Sequence, residues 1–78
     1  MVNVAQIGVG YWGPNLLRNL VANEECEVKK VVDLSENRIN YVKDLYPAIV
    51  TTDQTDDVFN DTEIDAVLVA TPVASILI

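Results

Sequence analysis

Apolar residues recur along this chain in two rhythms, a run and a helical spacing, and the two alternate. Val2 to Ile7 is a short β-branched run that stops at a glycine, which predicts a buried first strand. Beyond it Leu16, Leu17, Leu20 and Val21 fall at helical spacing, so a helix opened by Gly13-Pro14 would lay one apolar face on a sheet. Val28 to Val32 predicts a second strand, closing at Asp33. Ser35 suits the N-cap of a second helix whose Ile39, Val42, Leu45 and Tyr46 share a face, and Pro47 stops it. Ala48 to Thr51 predicts a brief third strand and Thr55 to Phe59 a short helical turn. Polar Asn60-Asp61-Thr62-Glu63 then leads to a fourth strand, Ile64 to Ala70. Its near-continuous apolar character suggests a strand covered on both faces.

The order is βαβαβαβ with short connections. Right-handed crossovers would place helices on both faces of a parallel sheet. The class expected is α/β, a partial doubly wound parallel sheet of the Rossmann type. Four strands are fewer than the six of a complete sheet of that type. Residues 1–78 are therefore expected to be the N-terminal part of a dinucleotide-binding domain, with any substrate domain outside them. The run Val67 to Val73, left as a sheet edge, predicts self-association or poor solubility of the isolated chain.

Composition narrows the function. Half of the 78 residues are hydrophobic, which excludes a disordered linker. The formal charge of −7, with five Lys plus Arg and no His, supplies no basic stripe for a nucleic-acid backbone. One cysteine, Cys26, allows neither an internal disulfide nor a multi-cysteine metal site, and is read as a small packed residue. No metal is expected. No secretory signal is read at the start, and no run approaches the roughly 20 apolar residues that cross a membrane. A cytoplasmic location away from membranes is the resulting expectation.

Candidate chemistry lies in Gly8-Val9-Gly10-Tyr11-Trp12-Gly13, a GxGxxG pattern set between the first strand and first helix. An acidic residue closes the second strand at Asp33, 20 residues beyond Gly13. Gly8 permits the tight turn, Gly10 lets the backbone approach a pyrophosphate, and Gly13 lets the helix pack close to the sheet. Amides around Tyr11, Trp12 and Gly13 would face the phosphates, backed by the positive end of the helix dipole. The rings of Tyr11 and Trp12 suit either stacking on the cofactor or packing on a neighbouring segment. Asp33 is placed to accept hydrogen bonds from the adenosine ribose hydroxyls, and its charge would repel a 2′-phosphate, so NAD is preferred over NADP. The bland alternative for Asp33 is a solvated strand-end carboxylate. Leu34 follows it. Arg38 is the one nearby cation able to soften the preference, although a turn into the helix it can equally be solvated or paired with Glu36 or Asp44.

The run Gly8 to Leu16 with its Gly-Tyr-Trp-Gly-Pro-Asn turn, Asp33-Leu34-Ser35, and Ala70-Thr71-Pro72-Val73 together resemble the Gfo/Idh/MocA oxidoreductases over nearly the whole chain. The resemblance implies an NAD-dependent dehydrogenase acting on a sugar or nucleotide-sugar hydroxyl. It also implies a following α/β domain that closes the substrate site and often mediates homo-oligomerisation. By position it adds Thr71 and Pro72, beside the cofactor, to Gly8, Gly10, Tyr11, Trp12, Gly13, Asp33, Leu34 and Arg38. Without the family, Thr71-Pro72 reads simply as the end of a strand. Two departures stand out. Ile76 occupies the place where the family usually has a histidine, and the Glu-Lys-Pro motif with the family's catalytic lysine would fall beyond Ile78.

No catalytic residue is assigned within the chain, and Asp53, Asp56, Asp57 and Asp61 are read as solvated acids without a role. A stand-alone dinucleotide-binding or regulatory module without catalysis is the rival reading. A methyltransferase using S-adenosylmethionine fits less well, because its third turn glycine would fall at Trp12.

Overall fold

A computed structural model describes residues 1–10 and 13–70 of the chain. In it seven elements alternate as expected: β1 (Val2–Ile7), α1 (Gly13–Ala22), β2 (Cys26–Val32), α2 (Glu36–Leu45), β3 (Val50–Thr52), α3 (Asp56–Phe59) and β4 (Ala66–Val69). The strands form one sheet in the order β3-β2-β1-β4, and every pairing is parallel. This is a Rossmann-like α/β fold. The strand order reverses direction at β1, which leaves a crevice between β1 and β4 at the carboxyl ends of the strands.

One irregularity decides which side chains face which helices. The β1–β2 register shifts between Val4 and Ala5, so Val4 pairs with Val28 and Ala5 with Lys30, and Lys29 has no partner. Strand side chains alternate between faces, and an extra residue reverses the alternation beyond it. Val28 and Val31 therefore share one face, where they join Val9, Leu17 and Val42 in a buried cluster supported by Leu20, Tyr46 and Ile49. Lys30 and Val32 fall on the other. There Val32 packs with Ala5 and Val58, with Ile7 and Ile64 alongside. Helices α1 and α2 thus cover one face and α3 the other.

Element ends differ from the sequence expectation where hydrogen bonds outweigh hydropathy. The second strand starts two residues early, at Cys26, because Val2 finds its ladder partner there. Its thiol, half-buried, donates to the Leu20 carbonyl at 3.3 Å, the packed role expected. The third strand starts late, because Ile49 is held in a turn by its N–H to the Tyr46 carbonyl at 3.0 Å. The fourth is shorter at both ends: the Ile64 N–H turns back to Asp61 at 3.2 Å, and pairing as a strand ends at Val69.

Two expectations of burial are corrected. Leu16 and Val21 are exposed, so the apolar stripe of α1 narrows to buried Leu17 with Leu20 beside it. The fourth strand is not covered on both faces: Val67 and Val69 are exposed. They share the face of Ala5 and Ile7, and the four-residue α3 buries only Val58 there. Among the described residues no helix is long and apolar enough to cross a membrane.

Candidate functional site

The glycine turn leaves β1 with a hydrogen bond from the Gly8 N–H to the Val32 carbonyl, 2.7 Å. Gly8 and Gly10 have φ of 90° and 43°, a region that costs a residue with a Cβ roughly 1–2 kcal/mol. Gly13 is needed for space instead. A Cβ there would lie 3.2 Å from the Gly8 carbonyl oxygen, 3.3 Å from Gln6 Nε2 and 3.4 Å from Val9 Cβ. Between these glycines the Val9 side chain is fully buried and roots the turn in the core. The first turn of α1 carries no acidic residue that would neutralise the positive end of its dipole.

Gln6 is a participant that the sequence pattern does not disclose. In a buried strand its alternation places it inward, on the face of α1 beside Val31, and it is fully buried. Its Nε2 donates to the Gly8 carbonyl at 2.9 Å and to the Gly13 carbonyl at 3.2 Å, bridging the two ends of the turn. Its Oε1 is buried without a hydrogen-bond partner among the described residues. An unpaired acceptor of that kind costs about 1–3 kcal/mol. A glutamine in an apolar run just before a glycine turn is the signal that would have found it.

Asp33 stands across the turn at the end of β2. Its Oδ2 accepts the Val9 N–H and its Oδ1 the Ser35 N–H, each at 2.8 Å. The Asp33 N–H donates to the Thr52 carbonyl at 3.1 Å, so the residue is fixed at backbone and side chain. Ser35 caps α2 as expected, its hydroxyl accepting from the Arg38 N–H. Each carboxylate oxygen retains a further lone pair after one backbone bond, enough to accept a hydroxyl of a ligand.

A cleft of about 540 Å³ opens at this end of the sheet. Gly8 and Gly10 form one wall, Asp33 and Leu34 a second, and Asp53, Gln54 and Thr55 of the β3–α3 loop a third, above Ile7, Val32 and Ala70. Leu34 is 89% exposed at the lip. A neighbouring cleft of about 430 Å³ shares Asp33, Leu34 and Asp53 and continues toward Glu36, Ile39 and Lys43 of α2. The structure therefore gathers Gly8, Gly10, Asp33 and Leu34 round one space, with Gly13 behind the turn. Arg38 lines neither cleft and makes no ion pair among the described residues; Lys43 is the cation that lines the second. Tyr11, Trp12, Thr71 and Pro72 lie outside the described residues.

Asp53, Gln54 and Thr55 were missed as wall residues. The rule that ligands bind beyond the carboxyl ends of the strands would have reached them once the third strand was ended correctly at Thr52. The other acids divide. Asp57 accepts the Thr52 hydroxyl proton, and Asp61 pairs with Lys30 at 2.9 Å. The hydrogen bond from Lys30, then that from the Glu63 N–H, holds the Asp61 carboxyl below its ordinary value. Lys30 also donates to the Asp57 carbonyl at 2.8 Å, so the pair ties α3 and its following loop to β2. Among the described residues no group of three or more metal-ligating side chains exists.

A helix N-terminus behind a glycine turn can accept an anion, and a carboxylate with lone pairs to spare can accept hydroxyl hydrogen bonds. Residues 2–75 match the family GFO_IDH_MocA, the oxidoreductase family with an NAD-binding Rossmann fold. Similar solved structures include the Bacillus subtilis protein yvaA, with a TM-score of 0.84 at 24% identity over 95% of this chain and 21% of that one. The myo-inositol 2-dehydrogenase of Lactobacillus plantarum gives 0.81 at 24% identity, over 91% of this chain and 21% of the other. For the scyllo-inositol dehydrogenase of Lactobacillus casei the values are 0.81 and 16%, over 92% and 22%. The chain thus spans about a fifth of the length of these structures. No curated protein matches it in sequence.

Proposed function

The chain belongs to the Gfo/Idh/MocA oxidoreductase family, whose Rossmann domain binds NAD, and we propose that the cleft beside Gly8, Gly10 and Asp33 is where this chain binds NAD(H). The observation that carries the reading is the convergence of a Cβ-free turn, the unneutralised N-terminus of α1 and a fixed carboxylate on one crevice at the strand-order reversal. The site residues fit the group. Gly8 and Gly10 leave room for a pyrophosphate, Gly13 keeps the helix start close behind it, and Asp33 offers its remaining lone pairs to the adenosine ribose. Leu34 at the lip and Asp53-Gln54-Thr55 opposite flank the nucleoside.

Charge sets the preference between cofactors. Asp33 and Asp53 both line the two adjoining clefts, and a 2′-phosphate placed among them would meet like charge. NADH is therefore favoured over NADPH.

When bound, the nicotinamide supplies or accepts a hydride. The residues of this chain bind and orient the dinucleotide, and no acid–base residue for a substrate is assigned among them. The family and the inositol dehydrogenases among the similar structures support a substrate with a secondary hydroxyl, a sugar, nucleotide sugar or polyol. The test is a titration with NADH and with NADPH, followed by quenching of the single tryptophan, Trp12. Saturable quenching by NADH, at least about tenfold tighter than by NADPH, is expected. No response to either in a sample folded by circular dichroism would overturn the reading.

A further inference from the structure

The side chain that sets the glycine turn is an uncharged one in the strand before it. Gln6 spends both Nε2 protons on the turn, one on the Gly8 carbonyl and one on the Gly13 carbonyl. Those carbonyls bracket the segment whose amides are offered to the anion. Both carbonyl oxygens accept from the buried Gln6 side chain of β1, which holds them on that side of the turn. A carbonyl rotated outward would present a negative oxygen to a phosphate, so keeping it inward favours anion binding as much as an added donor does.

The burial of Gln6 supports this role over simple packing. It is the buried polar side chain of the described core, and its Oε1 lacks a hydrogen-bond partner among the described residues. An apolar side chain of the same volume would pack there without that unpaired acceptor. The Gly13 contact points the same way: a Cβ at position 13 would come within 3.3 Å of Nε2, so the glycine and the amide fit one another.

We propose that Gln6 is a positioning residue for dinucleotide binding, holding the Gly8 and Gly13 carbonyls so that the turn between them is formed before the ligand arrives. This rests on the reading of the turn as a pyrophosphate site.

The test uses the full chain, isotope-labelled, as wild type, Gln6→Met and Gln6→Glu. Gln6→Met keeps the volume and removes the donors. It is expected to weaken NADH binding about tenfold and to speed hydrogen exchange at the Gly8 and Val9 amides, with the amides of β2 and β3 unchanged. Gln6→Glu places a carboxylate against two carbonyl oxygens. Burial raises its pKa, and once protonated it regains one donor. Its NADH affinity, taken relative to the wild type at the same pH, should therefore rise as pH falls. The chain has no histidine, and among the described residues Asp33 is the titratable side chain bonded to the turn. Wild-type affinity in Gln6→Met, or exchange that quickens equally throughout the sheet, would overturn the proposal. If the wild type fails to bind NADH while Gln6→Met still loosens Gly8 and Val9 alone, the nucleotide reading falls and the hold on the turn stands.

Discussion

The Asp33 carboxylate accepts the Val9 N–H at 2.8 Å, so the residue that closes the second strand also fastens the turn that leaves the first. Val9 is held twice, by this bond and by its buried side chain among Leu17, Val28, Val31 and Val42. The Asp33 carboxylate is thus part of the scaffold of the glycine turn. Its removal is expected to loosen the glycine turn as well as to remove the proposed ribose contact.

Asp33→Ala is expected to weaken NADH binding by tenfold or more, since hydrogen bonds to a charged acceptor contribute about 1.5–3 kcal/mol each. Asp33→Asn keeps one acceptor oxygen and loses the charge. Its loss for NADH should be smaller, and the ratio of NADPH to NADH dissociation constants should fall toward one. Paired fluorescence titrations read both. An unchanged ratio in Asp33→Asn would remove Asp33 from cofactor discrimination.

Gly8 and Gly13 should fail differently. Gly8→Ala strains the backbone at a φ of 90° and is expected to lower stability by roughly 1–2 kcal/mol. Gly13→Ala has no such strain, but its Cβ presses on the Gly8 carbonyl and on Gln6, so the turn must shift. Its main effect is expected on NADH affinity, with a smaller change in the urea midpoint. Equal losses of stability from the two variants would contradict this division.

Adjacent leucines of α1 give a direct test of the helix face. Leu17 is fully buried in the larger cluster, whereas Leu16 is exposed. Leu17→Ala should cost about 2–5 kcal/mol and Leu16→Ala within about half a kcal/mol of nothing. Urea denaturation of the two variants would show the contrast, and comparable costs would mean that the helix is rotated from the position described.

The ion pair of Lys30 with Asp61 carries a pH dependence of defined sign. Asp61 has its folded-state pKa lowered, first by the hydrogen bond from Lys30 and then by that from the Glu63 N–H. Its stabilisation is therefore fully present above the ordinary aspartate value of 3.8, and is lost as pH falls through the lowered folded value. Asp61→Asn should destabilise the chain near neutrality by a small amount and flatten the acid limb of a plot of urea midpoint against pH. An acid limb identical to the wild type's would show that the pair contributes nothing measurable, as many exposed pairs do.

By itself the sequence determined the element order, the parallel α/β class, the glycine turn and the acid that closes the second strand. These are local matters. A glycine-rich break between a strand run and a helical spacing, and a carboxylate at a strand end, are written in consecutive residues, and short connections leave few ways to assemble them. Tertiary structure decided the rest. Whether Lys30 faces inward or outward depends on one unpaired residue, Lys29, in a register no single strand specifies. Whether Leu16, Val21, Val67 and Val69 are covered depends on how far a neighbouring helix reaches, which hydropathy does not state. Asp53, Gln54 and Thr55 meet the turn only because β3 lies two strands away on the same sheet edge-to-edge path, with its carboxyl end pointing the same way. Gln6 is the sharpest case. In the sequence it is one polar letter in a hydrophobic strand, and its meaning comes from two carbonyls, at Gly8 and Gly13, that only the folded turn brings within reach of a single amide.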